Sequence, residues 1–261
     1  MKKEKLVELI ESISPSETAD DWDNCGYQIN SKRRDVLRVL TALEITGSVI
    51  DEAETKGCDF IVTHHPLIFG SISKIDCNSI TGNYIERLLK ADISVYSCHT
   101  SFDKAPLGNN HDLGARLGFA EMRVEENGDG FLMSAELPEA YDVPAMKRKT
   151  AEALEMSENM VRVAGNKERM IKKVFWCTGS GGSFLKEAIK AGADLYITGD
   201  LKYHDAVYAA ESGIVVFDAG HYGSEKIFAR NMKALLENAV SEAEEKCQIY
   251  ASEIDIDPFL W

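Results

Sequence analysis

Gly57-Cys58-Asp59-Phe60-Ile61-Val62-Thr63-His64-His65-Pro66 is the stretch whose reading decides the fold. Gly57 stops a helix, Phe60 to Thr63 is a short apolar run of strand length, and Pro66 forces the chain out of any ladder that follows. Upstream, Thr46 has the chemistry of an N-cap for a helix from about Gly47 to Lys56, and Val36 to Leu43 reads as the strand before it. Strand, helix and strand in this order make a β-α-β unit, with its two strands parallel.

The unit occurs twice. Leu185-Lys186-Glu187-Ala188 through Gly192-Ala193-Asp194-Leu195-Tyr196-Ile197-Thr198 repeats Ile50-Asp51-Glu52-Ala53 through Gly57-Cys58-Asp59-Phe60-Ile61-Val62-Thr63 at a gap-free offset of 135 positions (198 − 63). Each copy follows a strand, Leu37 to Ala42 in the first and Lys172 to Cys177 in the second. An internal duplication accounts for this register.

Around the two units the alternation continues. Leu6, Val7, Ile10 and Ile13 share one face of an opening helix, Tyr84 to Lys90 and Gly108 to Leu117 read as helices, and Ile93 to Ser97 and Ile214 to Phe217 as strands. The polar turn Glu125 to Gly130 precedes a strand from Phe131 to Leu137 and a helix opened by Pro144 that runs to about Leu154. That turn has neither the ligand spacing nor the closing Glu of an EF-hand. One long helix is expected from about Glu225 to Glu244, its stripe of Phe228, Met232, Leu235, Leu236, Ala239 and Val240 serving as core. The tail from Gln248 to Trp261 reads as a strand-like run with an acidic end. The fold class expected is α/β: two related halves with mainly parallel or mixed sheets flanked by helices. The halves are residues 1–124, with the His-His and His/Asp motifs, and 125–261, with the His/Glu motif, the C-terminal helix packing back on the first half.

Composition narrows the function. Apolar residues are 44% of 261, enough for a proper core. With 29 Lys and Arg against 43 Asp and Glu, the formal charge is −14, which argues against a nucleic-acid backbone or an anionic membrane as main partner. No apolar run approaches the roughly 20 residues that span a bilayer. The N-terminus lacks the apolar stretch of a signal peptide, and Cys25, Cys58, Cys77, Cys98, Cys177 and Cys247 form no CxxC pair. Reduced thiols in the cytoplasm are expected.

The chemistry gathers at strand ends, where parallel sheets hold their ligands. His64 and His65 follow one strand. His99 and Asp103 follow the next, in Cys98-His99-Thr100-Ser101-Phe102-Asp103. A third strand leads into Asp218-Ala219-Gly220-His221-Tyr222-Gly223-Ser224-Glu225, where His221 and Glu225, four apart, share a face once a helix has begun. Adjacent side chains diverge inside a strand, but at a strand end before Pro66 both imidazoles can turn to one cavity. His64, His65, Asp103, His221 and Glu225, with His99 and Asp218 in reserve, suit two borderline metals about 3.5–4 Å apart with a carboxylate between them. Zinc, iron, manganese, cobalt and nickel all accept imidazole and carboxylate.

Other residues carry two readings. The duplication equates Asp200 with His65 and puts Gly199 in place of His64. Lys202, Tyr203 and His204 either bind substrate and act as acid and base, or cap a helix and pack at a subunit contact. His99 reads as an outer partner of the metals, and as a candidate catalytic group together with Lys202 and His204. Trp22, Asp23 and Asn24 either line the pocket or, for Trp22, anchor the core. Thr178-Gly179-Ser180-Gly181-Gly182-Ser183 lacks both P-loop and dinucleotide spacing and reads as a tight turn, a phosphate cradle being the alternative.

Five spaced motifs, Trp22-Asp23-Asn24-Cys25-Gly26, Thr63-His64-His65-Pro66-Leu67-Ile68-Phe69, His99-Thr100 with Asp103, Gly192 through His204, and Gly220-His221-Tyr222-Gly223-Ser224-Glu225, resemble the NIF-three-like (NIF3-like) family, whose bacterial members are often labelled GTP cyclohydrolase 1 type 2 homologs. The resemblance runs in order over nearly the whole chain. It implies a dinuclear site of His64, His65, Asp103, His221 and Glu225 with Glu225 bridging: one metal takes a first-motif His and Asp103, the other the second His and His221. It also implies a toroidal homohexamer with the sites facing a central cavity. This chain is a short member, without the inserted middle domain of some relatives.

Two functions follow as expectations. One is a metal-dependent hydrolase acting on a small phosphorylated or nucleotide-like substrate, GTP cyclohydrolase-type chemistry being what the family label suggests. The other is a non-enzymatic metal carrier, buffer or assembly scaffold. Two metals with so few protein ligands keep open positions, which favours catalysis and also suits metal transfer.

Overall fold

The computed structural model describes residues 1–259; Leu260 and Trp261, the end of the tail read above, lie outside the described residues. Two compact units emerge, one of Met1–Gly108 with Phe228–Ile256, the other of Asn109–Ile227 with residues 257–259. In chain order the strands are β1 (Gly26–Ile29), β2 (Arg38–Ala42), β3 (Phe60–Thr63), β4 (Ser94–Ser97), β5 (Met122–Val124), β6 (Met133–Tyr141), β7 (Arg162–Gly165), β8 (Ile171–Trp176), β9 (Leu195–Thr198), β10 (Val215–Asp218) and β11 (Gln248–Ala251). The α-helices are α1 (Lys3–Ile13), α2 (Gly47–Lys56), α3 (Ile80–Lys90), α4 (Thr100–Asp103), α5 (Asn109–Arg116), α6 (Val143–Ala153), α7 (Leu185–Lys190), α8 (Tyr203–Glu211), α9 (His221–Glu225) and α10 (Phe228–Glu242).

In the first unit the sheet order is β1-β4-β3-β2-β11. β11, β2, β3 and β4 are parallel and β1 closes the edge antiparallel to β4. Helix α2 begins where Thr46 accepts the Val49 amide at 3.2 Å and ends at Gly57, whose φ of 63° is the left-handed turn that glycine adopts without strain. Leu40, Ile61 and Val95 of the central strands pack on Val49, Ile50 and Ala53 of α2. Helix α10 buries Phe228, Ala229, Met232, Leu236 and Val240, and Thr41 donates to the Ala229 carbonyl at 2.6 Å.

The second unit has the order β5-β6-β8-β9-β10-β7. β8, β9 and β10 are parallel; β6 and β7 run antiparallel to β8 and β10. Trp176, fully buried, anchors this core and donates its indole N–H to the Asn110 carbonyl at 2.8 Å.

The duplication extends to individual hydrogen bonds. Val39 pairs with Phe60 as Val174 pairs with Leu195. Asp59 accepts the Leu37 and Arg38 amides at 2.7 and 3.0 Å, and Asp194 accepts the equivalent Lys172 and Lys173 amides at 3.0 and 2.8 Å. In both copies the Gly-x-Asp aspartate ties the helix exit to the start of the preceding strand.

The expected α/β class with two related halves therefore holds, the sheets being mixed. Three short antiparallel strands, β1, β5 and β7, were not read from the sequence. The expected closing helix also differs: Glu225 ends α9, and α10 begins only at Phe228. The break lets Glu225 and His221 face one way while Phe228 starts a separate apolar stripe.

Candidate metal centre

In the first unit β3 ends at Thr63, and the chain turns there. The His64 and His65 amides donate to the Leu43 carbonyl at 3.1 and 2.8 Å, and the Thr63 hydroxyl donates to the His65 carbonyl at 2.9 Å. Both imidazoles consequently leave the ladder on one side, their ring centroids 5.1 Å apart. His64 is fully buried, its ring against Phe228. Its Nδ1 lies 3.1 Å from the Cys98 carbonyl, which takes the Nδ1–H, and its Nε2 lies 3.5 Å from Asp103 Oδ1. His65 Nδ1 lies 3.7 Å from Glu44 Oε2.

The end of β4 adds His99. Its Nδ1 lies 2.9 Å from Asp23 Oδ1, and ring nitrogens of His64, His65 and His99 are all within 4.8 Å of one another. The Asp23 carboxylate also accepts the Thr100 amide at 3.0 Å and the Thr100 hydroxyl at 2.5 Å. Burial alone would raise its pKa, but the hydrogen bonds from His99 and Thr100 outweigh that and hold Asp23 well below the usual carboxylate range. Asp23 is thus a fixed acceptor for the Nδ1–H of His99, which leaves Nε2 as the acceptor nitrogen of that ring.

In the second unit His221 and Glu225 are one turn apart on α9, with His221 Nε2 3.0 Å from Glu225 Oε2. His221 Nδ1 lies 2.8 Å from Asp200 Oδ2. Asp200 adopts a φ of 54°, a left-handed conformation costly for a non-glycine residue, and its carboxylate holds the imidazole from that position. The glycine-rich turn lies beside Glu225: a Cβ on Gly179 would stand 2.0 Å from Glu225 Oε1. Its amides are committed within the fold, Gly179 to Ser224 Oγ at 2.9 Å and Gly181 to Thr198 Oγ1 at 3.0 Å. The Gly179 and Gly181 bonds are those of the tight structural turn, and the Glu225 carboxylate lies against it.

Four histidines, His64, His65, His99 and His221, thus have an oxygen on the Nδ1 side, from Cys98, Glu44, Asp23 and Asp200 respectively. For His64, His99 and His221 the oxygen is at hydrogen-bond distance and favours the tautomer with the proton on Nδ1 and the lone pair on Nε2, the orientation that such oxygens also give to metal-binding histidines. Glu44 had no signal in residue type or spacing; Asp23 reads from the sequence only as a pocket-lining residue, and Asp200 stood out through the duplication. Asp218, held in reserve as a ligand, is buried in another role: it pairs with Arg162 and accepts the Leu201 and Gly220 amides at 3.2 and 2.9 Å. Lys202, Tyr203 and His204 are exposed at the start of α8, His204 against the Tyr203 ring at 5.3 Å. Trp22 is no core anchor, being 58% exposed.

The family model described as Duf34/NIF3 (NGG1p interacting factor 3) matches residues 1–258. A Clostridium acetobutylicum protein named GTP cyclohydrolase 1 type 2 homolog is 33% identical over 99% of this chain and 98% of its own length. The structure of a Staphylococcus aureus hypothetical protein superposes with a TM-score of 0.91 at 28% identity, covering 100% of this chain and 99% of the other. That of a Bacillus cereus protein related to NIF3 superposes with a TM-score of 0.92 at 22% identity, with 100% and 99% coverage.

Proposed function

Because the chain belongs to the Duf34/NIF3 family, we propose that it holds two divalent metal ions through His64, His65, Asp103, His221 and Glu225 and uses them to hydrolyse a small phosphorylated or nucleotide-like substrate. One observation carries the metal reading: His64 and His221 each hold Nδ1 in a hydrogen bond to an oxygen, the Cys98 carbonyl and Asp200, while Glu44 lies 3.7 Å from His65 Nδ1. The donor set fits borderline cations. Asp103 and Glu225 are 9% and 3% exposed, and buried carboxylates beside imidazoles are what a bound cation compensates. Bound divalent ions would supply Lewis acidity and a nucleophilic water at neutral pH. The protein's own part is to fix the ligands: Cys98 and Asp200 set the tautomers of His64 and His221, and Gly179 leaves the space that Glu225 fills.

The hydrolytic part of the reading draws on the relatives named GTP cyclohydrolase 1 type 2 homolog and on the open positions that a five-ligand, two-metal set leaves. A toroidal homohexamer working in the cytoplasm completes the proposal. Cys25, Cys58, Cys77, Cys98 and Cys247 are free thiols, which suits a reducing compartment, and no helix among the described residues is long and apolar enough to cross a membrane.

The test is metal content per chain by mass spectrometry, on protein purified without a His-tag, beside a His64→Ala/Glu225→Ala variant. About two equivalents of a transition metal in the wild type, lost in the variant, support the site. No metal in either, even after reconstitution, removes it. Turnover of a phosphoester or of GTP that is lost in Asp103→Ala supports hydrolysis; metal binding without any turnover leaves a carrier or scaffold.

A further inference from the structure

Two large aromatic side chains stand in the open beside the histidine cluster of the first unit. Trp22 is 58% and Phe69 60% exposed, their rings 5.9 Å apart and tilted by 45°. Both also flank His99, each with its centroid 6.0 Å from the imidazole. Water-exposed aromatic surface of this size is unfavourable unless something covers it.

The platform is built, not loose. The Trp22 indole N–H donates to Asp20 Oδ2 at 3.1 Å, and the Asp20 carboxylate also pairs with Lys104. The Asp20 amide in turn donates to Thr100 Oγ1 at 3.0 Å, in the segment that carries His99. An aromatic face held this way loses little freedom on binding. The polar groups nearby are committed: the Asn24 side-chain amide donates to the Ile68 carbonyl at 2.6 Å, and the Asp23 oxygens serve His99 and Thr100. His99 Nε2 is therefore the acceptor this corner offers to a ligand.

We propose that Trp22, Phe69 and His99 form a recognition subsite for a planar nitrogen heterocycle, stacked on the aromatic pair and donating an N–H to His99 Nε2. An aliphatic ligand would gain only apolar burial from the held ring faces, whereas a flat ring adds stacking beyond the area it covers. A flat ring with an edge N–H uses both the faces and the acceptor. The two aromatic rings are too close for a ring to enter between them, which takes about 7 Å, twice the separation of touching carbon surfaces. The ligand therefore lies across the outer faces, its edge directed at His99. In this arrangement His99 contacts the ligand and is not a metal ligand, and Asp23 is its positioning residue.

The subsite deepens the proposed function and depends on it only for what is done to the ring once bound. The experiment is calorimetric titration of the full chain with guanosine, adenosine and cytidine, with ribose 5-phosphate as a ringless probe. Metal content and oligomeric state are read on the same samples. At least one nucleoside binds saturably and ribose 5-phosphate does not. Trp22→Ala and Phe69→Ala each weaken that binding by roughly 5- to 150-fold, the range of one base–aromatic stack. His99→Phe weakens it by about 2- to 10-fold, one hydrogen bond, with metal content unchanged. Because Trp22 and Phe69 are exposed, their alanine variants keep the wild-type melting temperature.

Four results overturn the subsite. No nucleoside binds at millimolar concentration. Binding is unchanged in Trp22→Ala and Phe69→Ala. Metal is lost in His99→Phe, which makes His99 a ligand. Or the oligomer dissociates in Trp22→Ala, which makes the aromatic pair a contact between copies. Metal absent with ring binding intact removes the proposed function and leaves the subsite.

Discussion

Gly179→Ala isolates the space around one carboxylate. Gly179 has a φ of 66°, and a Cβ there would lie 2.0 Å from Glu225 Oε1 and 2.9 Å from Cδ. Ordinary contact begins at 3.4 Å, so the carboxylate must retreat by about 1.4 Å (3.4 − 2.0) or the turn must open. A carboxylate–zinc bond is about 2.0–2.2 Å long, and a shift of that size breaks it. The substitution also imposes left-handed strain of about 1–2 kcal/mol on the alanine. Gly192→Ala separates the two effects, because Gly192 has a φ of 79° and nothing within 4 Å of its Cβ position. Both variants should lower the melting temperature, by roughly 2–4 °C per kcal/mol. Only Gly179→Ala should also weaken metal binding, by at least about tenfold, or about 1.4 kcal/mol. The assay is competitive metal titration against a chromophoric chelator, with melting followed by circular dichroism. Equal metal affinity in the two variants would refute the argument that Gly179 exists to seat Glu225.

Asp200→Asn should lower metal affinity by about 10- to 100-fold, the usual effect of removing a carboxylate behind a ligating histidine; an unchanged affinity in the same titration would assign Asp200 to the turn alone. Asp59→Asn and Asp194→Asn should each destabilise the protein by about 1–3 kcal/mol, since each weakens a carboxylate that two backbone amides share. Urea unfolding checks this, and a loss in one copy only would mean that the duplicated bonds no longer do the same work. Asp23 and Asp194 both have folded-state pKa values lowered from the ordinary 3.8. For Asp194, burial works the other way and is outweighed by the Lys173 amide, Arg169 and the Lys172 amide. A lowered carboxylate contributes stability that is present above its unfolded pKa and lost as pH falls through the folded one. Melting temperature should therefore drop as pH falls below about 4, and less steeply in Asp23→Asn; identical slopes would remove Asp23 from the account.

The parallel core of the fold was legible because its signals are local. Phe60 to Thr63 has the length of a buried strand, Thr46 caps its helix, and Gly57 ends it; the observed bounds of α2 and β3 coincide with those read from the residues. The antiparallel strands were not legible. β1, β5 and β7 are three or four residues long and lie partly exposed, so neither alternation nor an apolar run marks them. The long C-terminal helix was misread at its start because helical spacing continues from His221 through Phe228, while the break at Lys226 and Ile227 carries no Gly or Pro. At the site, His, Asp and Glu residues at strand ends announced themselves by type. Glu44 did not, and the roles of Asp23 behind His99 and of Gly179 beside Glu225 rest on proximities that only the folded chain establishes.

The two copies of the β-α-β unit explain why the second carries no histidine pair. His64 and His65 correspond to Gly199 and Asp200 at the same offset that relates Asp59 to Asp194. At Gly199 a Cβ would lie 2.7 Å from the Gly220 carbonyl carbon and oxygen and 2.8 Å from the His221 amide nitrogen. No side chain fits there while the backbone that presents His221 occupies the space. Asp200, the next residue, reaches that same His221 and holds its Nδ1 at 2.8 Å. In the first copy the strand end itself supplies imidazoles. In the second, the equivalent strand end makes room for an imidazole delivered from β10 and orients it. A Gly199→His/Asp200→His variant therefore cannot restore a histidine pair like the first: it would displace His221, and metal affinity should fall although two imidazoles were added.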